Sequence, residues 1–120
     1  MAQMIDTKLL GGNVKAFSGQ ETDWPDWSWK FENYCGAISA GGAISAELLQ
    51  NMEHTKSIED EIQLVHLNAD RRQQAANLAY ILSDLVSGEM VKTFRKIERG
   101  NGFEMWRRMC NRYAPRDTHV

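Results

Sequence analysis

A chain of 120 residues supports one domain with tails, and an apolar fraction of 42% that includes four tryptophans is enough for a buried core. A net charge of −2 does not by itself indicate nucleic-acid binding. The two cysteines have no C-x-x-C spacing, which excludes the usual zinc motifs, and no segment resembles a signal peptide or a membrane span. We therefore expect a soluble, cytoplasmic protein with two reduced, buried thiols and no membrane partner.

The N-terminal segment mixes apolar, polar and glycine residues without sustained periodicity, which predicts an extended arm over 1–20. The positions that we expect to hold this arm on the rest of the protein are Val14, Phe17 and Gly19. A helical domain is predicted to follow over 21–115, and residues 116–120 are predicted to form a C-terminal tail.

The first helix is predicted to begin near Thr22 or Asp23 and to end at the glycine pair 41–42. Its apolar residues recur at spacings of three and four, which indicates one buried helical face. The members of this face are Trp24, Trp27, Phe31, Tyr34 and Ile38. Trp29 lies off this face, so we expect a more exposed indole and treat it as a candidate protein contact. Partial cover by a neighbouring segment is the alternative interpretation.

The middle of the chain predicts three further helices. A short one is expected over 43–52, and the longest is expected to begin at Ser57 and to continue to Val86, where Ser87 and Gly88 end it. The small residues that would let another helix approach it closely are Ala75, Ala76 and Ala79. The next helix is predicted over 89–99 and is ended by Gly100.

The last helix is predicted to begin after Asn101 and to stop before Pro115. Asn101 and Glu104 form a predicted capping box, in which the asparagine side chain accepts from the Glu104 N–H and the Glu104 side chain reaches back. The apolar face of this helix consists of Phe103, Trp106, Met109 and Tyr113. A helix this short is marginal alone in water, so its aromatic face must pack on another surface, and the first helix offers one.

The absence of alternating apolar and polar residues makes strands improbable, and the predicted fold class is all-α. We expect a compact bundle of five or six helices with the extended N-terminal arm. The residues predicted to anchor its core are Trp24, Trp27, Phe31, Tyr34, Leu82, Phe94, Phe103, Trp106 and Tyr113.

A pattern of catalytic residues is missing from the sequence. His54, His66 and His119 each lack a second ligand at metal-binding spacing, and the carboxylates grouped at predicted helix starts favour the helix dipole. The sequence contains neither a nucleophile elbow nor a phosphate-binding loop. We therefore predict a protein that is not an enzyme and that uses no cofactor, metal or small-molecule substrate.

Basic residues are concentrated in 92–116, which holds eight Lys and Arg against two Asp and Glu. The candidate nucleic-acid contacts in this run are Lys92, Arg95, Lys96, Arg99, Arg107, Arg108 and Arg112. Clustered cations attract phosphates without sequence preference. Solvated helix faces balanced by the acidic front half are the simpler interpretation. In a third interpretation, acidic residues of one copy of the protein contact the basic run of the next copy.

The order of these signals resembles the capsid-like Gag region of LTR retrotransposons, especially the Copia type, over about residues 14–115. The segments that carry the resemblance are Phe17-Ser18-Gly19, Trp24 or Trp27, the apolar run 79–88, Gly102–Trp106, and Met109–Tyr113. The resemblance implies a helical domain without catalytic activity that multimerises into a particle around the RNA of the element. The zinc knuckle that usually follows in Gag proteins does not occur, and the sequence stops soon after Pro115, as a fragment would.

Three hypotheses for the function remain open from the sequence. The first is a structural domain of a retrotransposon Gag, or of a gene derived from one, that self-associates in the cytoplasm through Trp29 and the exposed sides of the helices over 43–52 and 89–99. The second is an RNA-binding module that uses the basic run. The third is a helical adaptor that binds partner peptides in a groove.

Overall fold

Five α-helices account for most of the chain that the computed structural model describes, which is residues 14–40 and 47–114. They are α1 (Trp24–Ala40), α2 (Leu48–Thr55), α3 (Ala69–Leu85), α4 (Glu89–Phe94) and α5 (Gly102–Tyr113). No strand occurs over these two ranges, so the predicted all-α helical bundle is confirmed. None of the helices there has the length and apolarity needed to cross a membrane.

Helix α5 is the central element of the bundle. It packs along α3 and also against α2, while α1 packs on α2. Because neighbours surround its first half, residues 102–107 are all buried, the charged ones included. The close approach of α3 depends on Gly102, which faces the backbone of Ala75 and Ala79.

The two predicted aromatic faces meet in the core. The ring centroid of Trp106 lies 5.5 Å from that of Trp24 and 5.4 Å from that of Phe31. Tyr113 stacks on Trp24 at a centroid distance of 5.6 Å. Tilted and stacked ring pairs of this kind add to the free energy gained by burying the rings. One aromatic cluster therefore joins the beginning of the domain to its last helix.

The described part of the N-terminal arm, residues 14–20, contains no helix or strand and is bonded to the bundle. Val14 and Phe17 are buried, and the Phe17 N–H donates to the carbonyl oxygen of Leu85 at 2.8 Å. The indole N–H of Trp27 donates to the backbone of the arm at Lys15. Gly19, predicted as a third anchor, is exposed and provides a turn with φ of 86°.

The predicted core anchors are buried with one exception. The buried ones are Trp24, Trp27, Phe31, Tyr34, Leu82, Phe103, Trp106 and Tyr113. Phe94 is only half-buried, because it is the last residue of α4 and lines an open groove. It packs against the edge of the core rather than inside it.

The predicted long helix from Ser57 to Val86 is wrong over 57–68, a segment that we call the strap. The strap is irregular apart from one 3-10 turn, Leu64–His66. Helix α3 begins only after Asn68, whose side-chain oxygen accepts from the backbone N–H of Arg71 at 2.8 Å and caps the helix. The strap lacks the hydrogen bonds of an α-helix, and side chains from elsewhere in the chain bind its backbone instead. The first is Glu98, which accepts from the Leu64 N–H at 3.0 Å.

The helix predicted over 89–99 is also shorter than expected, since α4 ends at Phe94. In the following turn, 95–99, the N–H groups of Lys96 and Ile97 donate to carbonyl oxygens three residues earlier, which tightens the backbone. This turn brings Ile97 into the core. Gly100 then adopts φ of 83°, a conformation that other residues rarely reach, and leads the chain into α5.

Some predictions concern residues outside the described ranges. They are the arm over 1–13, the glycine pair 41–42, the start of the helix predicted over 43–52, the stop at Pro115 and the tail over 116–120. The described part of this predicted helix is α2, which begins at Leu48 and continues to Thr55, three residues beyond the predicted end.

Replacing Gly102 with alanine is expected to lower the free energy of unfolding by about 3 kcal/mol. A Cβ atom there would lie within 3.0 Å of backbone atoms of Ala75 and Ala79, so α3 and α5 would have to separate. The matched control is Gly36→Ala in α1, where the nearest atom is a flexible Leu49 methyl at 3.3 Å. The helix preference for alanine over glycine, about 1 kcal/mol, should offset that contact. Equal urea midpoints for the two variants would contradict the close packing.

Candidate interaction surfaces

A groove opens between α3, α4 and the turn that leads into α5; we call it the α3–α4 groove. Its volume is about 310 Å³, and its apolar lining includes Phe94, Ile97 and Met105. Arg95 and Arg99 line the same groove. The groove exists because α4 ends early: the turn sends Ile97 inward and leaves the two arginines exposed beside an apolar floor.

The cations of this turn are unpaired within the described part of the chain. Arg95, Lys96 and Arg99 are exposed and make no salt bridge or side-chain hydrogen bond there. One helical turn earlier, the Lys92 Nζ atom lies 3.1 Å from Glu89 Oε2. Both side chains are exposed, so water strongly screens the attraction between them. The turn therefore presents free positive charge around an apolar groove, a combination suited to aromatic or anionic groups.

Two of the predicted nucleic-acid contacts are not available for that role. Arg107 is only 8% exposed, and its Nε and Nη2 donate to the Glu104 carboxylate at 2.8 Å and 2.7 Å. Arg108 is half-buried, and its Nε donates to the same carboxylate at 2.6 Å. Arg112 is exposed, with its guanidinium carbon 5.5 Å from the ring centroid of Tyr113. The basic run is thus divided between a surface group and a buried group.

Glu104 is the centre of the buried group and is fully shielded from solvent. Burial alone would raise the pKa of Glu104, because a charged carboxylate is costly away from water. Hydrogen bonds from Arg107, the Ile62 N–H and Arg108 outweigh that effect and hold the pKa below its ordinary value of 4.5. The same bond to Glu104 raises the pKa of Arg107. Both groups are therefore charged at neutral pH.

The buried group holds the strap against α5. Glu104 accepts from the Ile62 N–H at 2.9 Å, and the side-chain amide of Asn101 donates to the Ile62 carbonyl at 2.8 Å. Arg107 donates through Nη1 to the carbonyl of Glu59 at 3.1 Å. These bonds satisfy strap backbone groups that a helix would otherwise satisfy internally. We call Asn101, Glu104 and Arg107 the strap clamp.

Only part of this clamp is evident from the sequence. The Asn101 side chain accepts from the Glu104 N–H at 3.1 Å, as a capping box requires, but the carboxylate turns to the strap instead of reaching back. The signal that indicates such a clamp is a glutamate followed by arginines three and four residues later among buried aromatic residues. Charges in such surroundings are stable only when they are paired.

Trp29 is on the surface of α1 and is 64% exposed. A helix turns by about 100° per residue, which places Trp29 roughly 180° around α1 from the buried aromatic face. Its indole therefore points away from the core. The other exposed large apolar residues of the described chain are Val65 in the strap and Tyr80 on α3.

The two thiols are shielded rather than reactive. Cys35 is buried, Cys110 is half-buried, and neither is in a disulfide. Burial raises the pKa of both, that of Cys110 to about 12, so both are neutral thiols near pH 7. Over the described ranges, no group of three or more His, Cys, Asp and Glu side chains could hold a metal ion.

No protein-family model matches this chain, and no curated protein or solved structure is detectably similar to it. The resemblance to Gag therefore stays a prediction from the order of residues. The α3–α4 groove, the free cations and Trp29 are the features from which a function has to be inferred.

Proposed function

We propose that this protein is a Gag/capsid-like helical domain, from a retrotransposon or a derived gene, that associates with copies of itself and catalyses no reaction. The proposal is supported by the order of residues that resembles Gag and by the all-α bundle in which both aromatic faces form one core. The outward faces of its helices are exposed to solvent. Repeated contacts between such surfaces build symmetric or open assemblies.

The observation that carries the proposal is the exposure of Trp29. Single small apolar residues are common on protein surfaces, but tryptophan is enriched at protein interfaces and among the residues that dominate binding free energy. Trp29 is 64% exposed on the side of α1 that faces away from the core. No packing role within the described domain accounts for an indole in that position.

Light scattering on the full chain over a concentration series, with and without RNA, tests the proposal. We expect the mean mass to rise with protein concentration in the absence of RNA and to rise less for Trp29→Ala. A chain that stays monomeric over the whole series would contradict self-association. Such a monomer would instead favour the peptide-binding adaptor.

A second candidate function, RNA binding, is favoured by the free cations Arg95, Lys96 and Arg99. Removing one cation that binds a phosphate should reduce the slope of log affinity against log salt by about 0.7 to 0.9. The variant Arg95→Glu/Arg99→Glu is therefore expected to bind single-stranded RNA more weakly and with a smaller salt dependence. Unchanged, salt-sensitive RNA affinity in this variant would exclude the turn as an RNA-binding surface.

A further inference from the structure

We propose that the α3–α4 groove of one copy takes Trp29 of a second copy, so that the protein associates head to tail. This inference rests on the proposed self-association and names the two surfaces that form the contact. The groove and the indole belong to different elements, the first to α3, α4 and the start of α5, the second to α1. A single chain therefore carries both halves of the contact.

The groove suits an indole in size and chemistry. Its volume of about 310 Å³ is at the lower limit of ordinary ligand pockets, which favours one aromatic side chain over a large ligand. Phe94 and Ile97 provide an apolar floor. Arg95 and Arg99 lie at the groove without ion-pair partners in the described chain, and a guanidinium stacks favourably on the face of an indole.

The two segments that carry the halves of the contact have opposite net charge. Residues 21–56, which include α1 and α2, hold six carboxylates and two lysines, a balance of −4. Residues 89–99 beside the groove hold four cations and two carboxylates, a balance of +2. Opposite charge on the two halves of a contact speeds encounter and selects the orientation. It also predicts that high salt weakens the association.

The two halves share no residue, so occupying one leaves the other open. Trp29 points away from the core on α1, whereas the groove lies on the α3–α4 side of the central helix α5. A contact between unlike surfaces that does not close into a ring extends without limit. Head-to-tail growth of this kind would supply the repeated contact that an assembly domain needs.

Mixing two complementary variants of the full chain tests this arrangement. Trp29→Ala keeps the groove but lacks the indole. Arg95→Glu/Arg99→Glu keeps the indole, but the charge at its groove is reversed. We expect each variant alone to associate at least about tenfold more weakly than the wild type. An equimolar mixture should form a 1:1 dimer and nothing larger, because each pair retains one working contact. Sedimentation velocity distinguishes this dimer from the open-ended series of the wild type.

Matched controls separate the contact from general surface effects. Val65→Ala removes another exposed apolar side chain, and Arg71→Glu/Arg112→Glu changes the net charge by the same amount away from the groove. Both controls should associate like the wild type, and the two test variants should keep the wild-type melting temperature.

Three results would overturn the inference, and they have different consequences. If the wild type associates and the Trp29 variant associates equally well, the contact lies elsewhere and the proposed self-association stands. If the groove variant loses RNA affinity but not association, the groove is an RNA-binding surface. If the wild type remains monomeric at every concentration, the proposed function fails together with the inference.

Discussion

Trp106→Ala is expected to lower the free energy of unfolding by about 3–5 kcal/mol. Trp106 is fully buried and its ring contacts those of Trp24 and Phe31, so the substitution removes one of the two rings through which α5 meets the aromatic face of α1. A small domain is stable by about 5–15 kcal/mol, and the loss is therefore a large fraction of the total. Urea denaturation followed by circular dichroism measures it.

Two further substitutions identify the cause of that loss. Trp29→Ala removes the same side chain from an exposed site and should change stability by less than about 0.5 kcal/mol. Trp106→Phe keeps an aromatic ring and removes an indole N–H that has no acceptor among the described residues. It should therefore lower the free energy of unfolding much less than Trp106→Ala does. A Trp106→Ala variant as stable as Trp29→Ala would show that the aromatic cluster does not hold the domain together.

Glu104→Gln is expected to lower the free energy of unfolding by about 3–5 kcal/mol, because it removes the carboxylate that binds the buried Arg107 guanidinium. The matched control is Glu89→Gln, which removes a carboxylate at the same spacing of three from Lys92 on an exposed surface. That change should lower the free energy of unfolding by less than about 1 kcal/mol. The clamp also makes a local prediction: hydrogen exchange at the Ile62 amide should accelerate in Glu104→Gln. Unchanged exchange there would contradict the role of Glu104 in holding the strap.

The pH dependence of stability provides an independent test of the clamp. Because the folded pKa of Glu104 lies below the ordinary value of 4.5, its charge stabilises the folded state fully only above about that pH. The contribution is lost as the pH falls through the folded pKa. The stability difference between the wild type and Glu104→Gln should therefore be largest near neutral pH and shrink in acid. A difference that stays constant into acid would contradict the paired carboxylate.

The strap clamp and the α3–α4 groove are adjacent, but we expect substitutions in them to have different effects. Glu98 bonds to the strap at Leu64 and also lines the groove, while Arg95 and Arg99 stay free. A variant of the clamp should therefore lose stability before it loses association. A variant of the free arginines should lose association or RNA binding without unfolding.

The sequence alone determined the features that depend on local spacing. Apolar residues three and four apart identified the buried face of α1 and the aromatic face of α5, because helix geometry places such residues on one side. The same periodicity placed Trp29 outside the core, and the absence of alternating apolar and polar residues argued against strands. Asn101 was recognised as a cap for α5, since a cap forms within four residues.

Only the tertiary structure decided where the strap runs and which cations are free. Residues 57–68 have helical spacing, yet bonds from Glu104 to Ile62 and from Arg107 to Glu59 replace the helical bonds. The partners in these bonds are separated by 42 and 48 positions, a distance that no local pattern reports. The same bonds bury Arg107, while the early end of α4 leaves Arg95 in solvent beside an apolar groove. Burial of charge follows from such distant pairings, because a charge leaves water only when the fold brings it a partner.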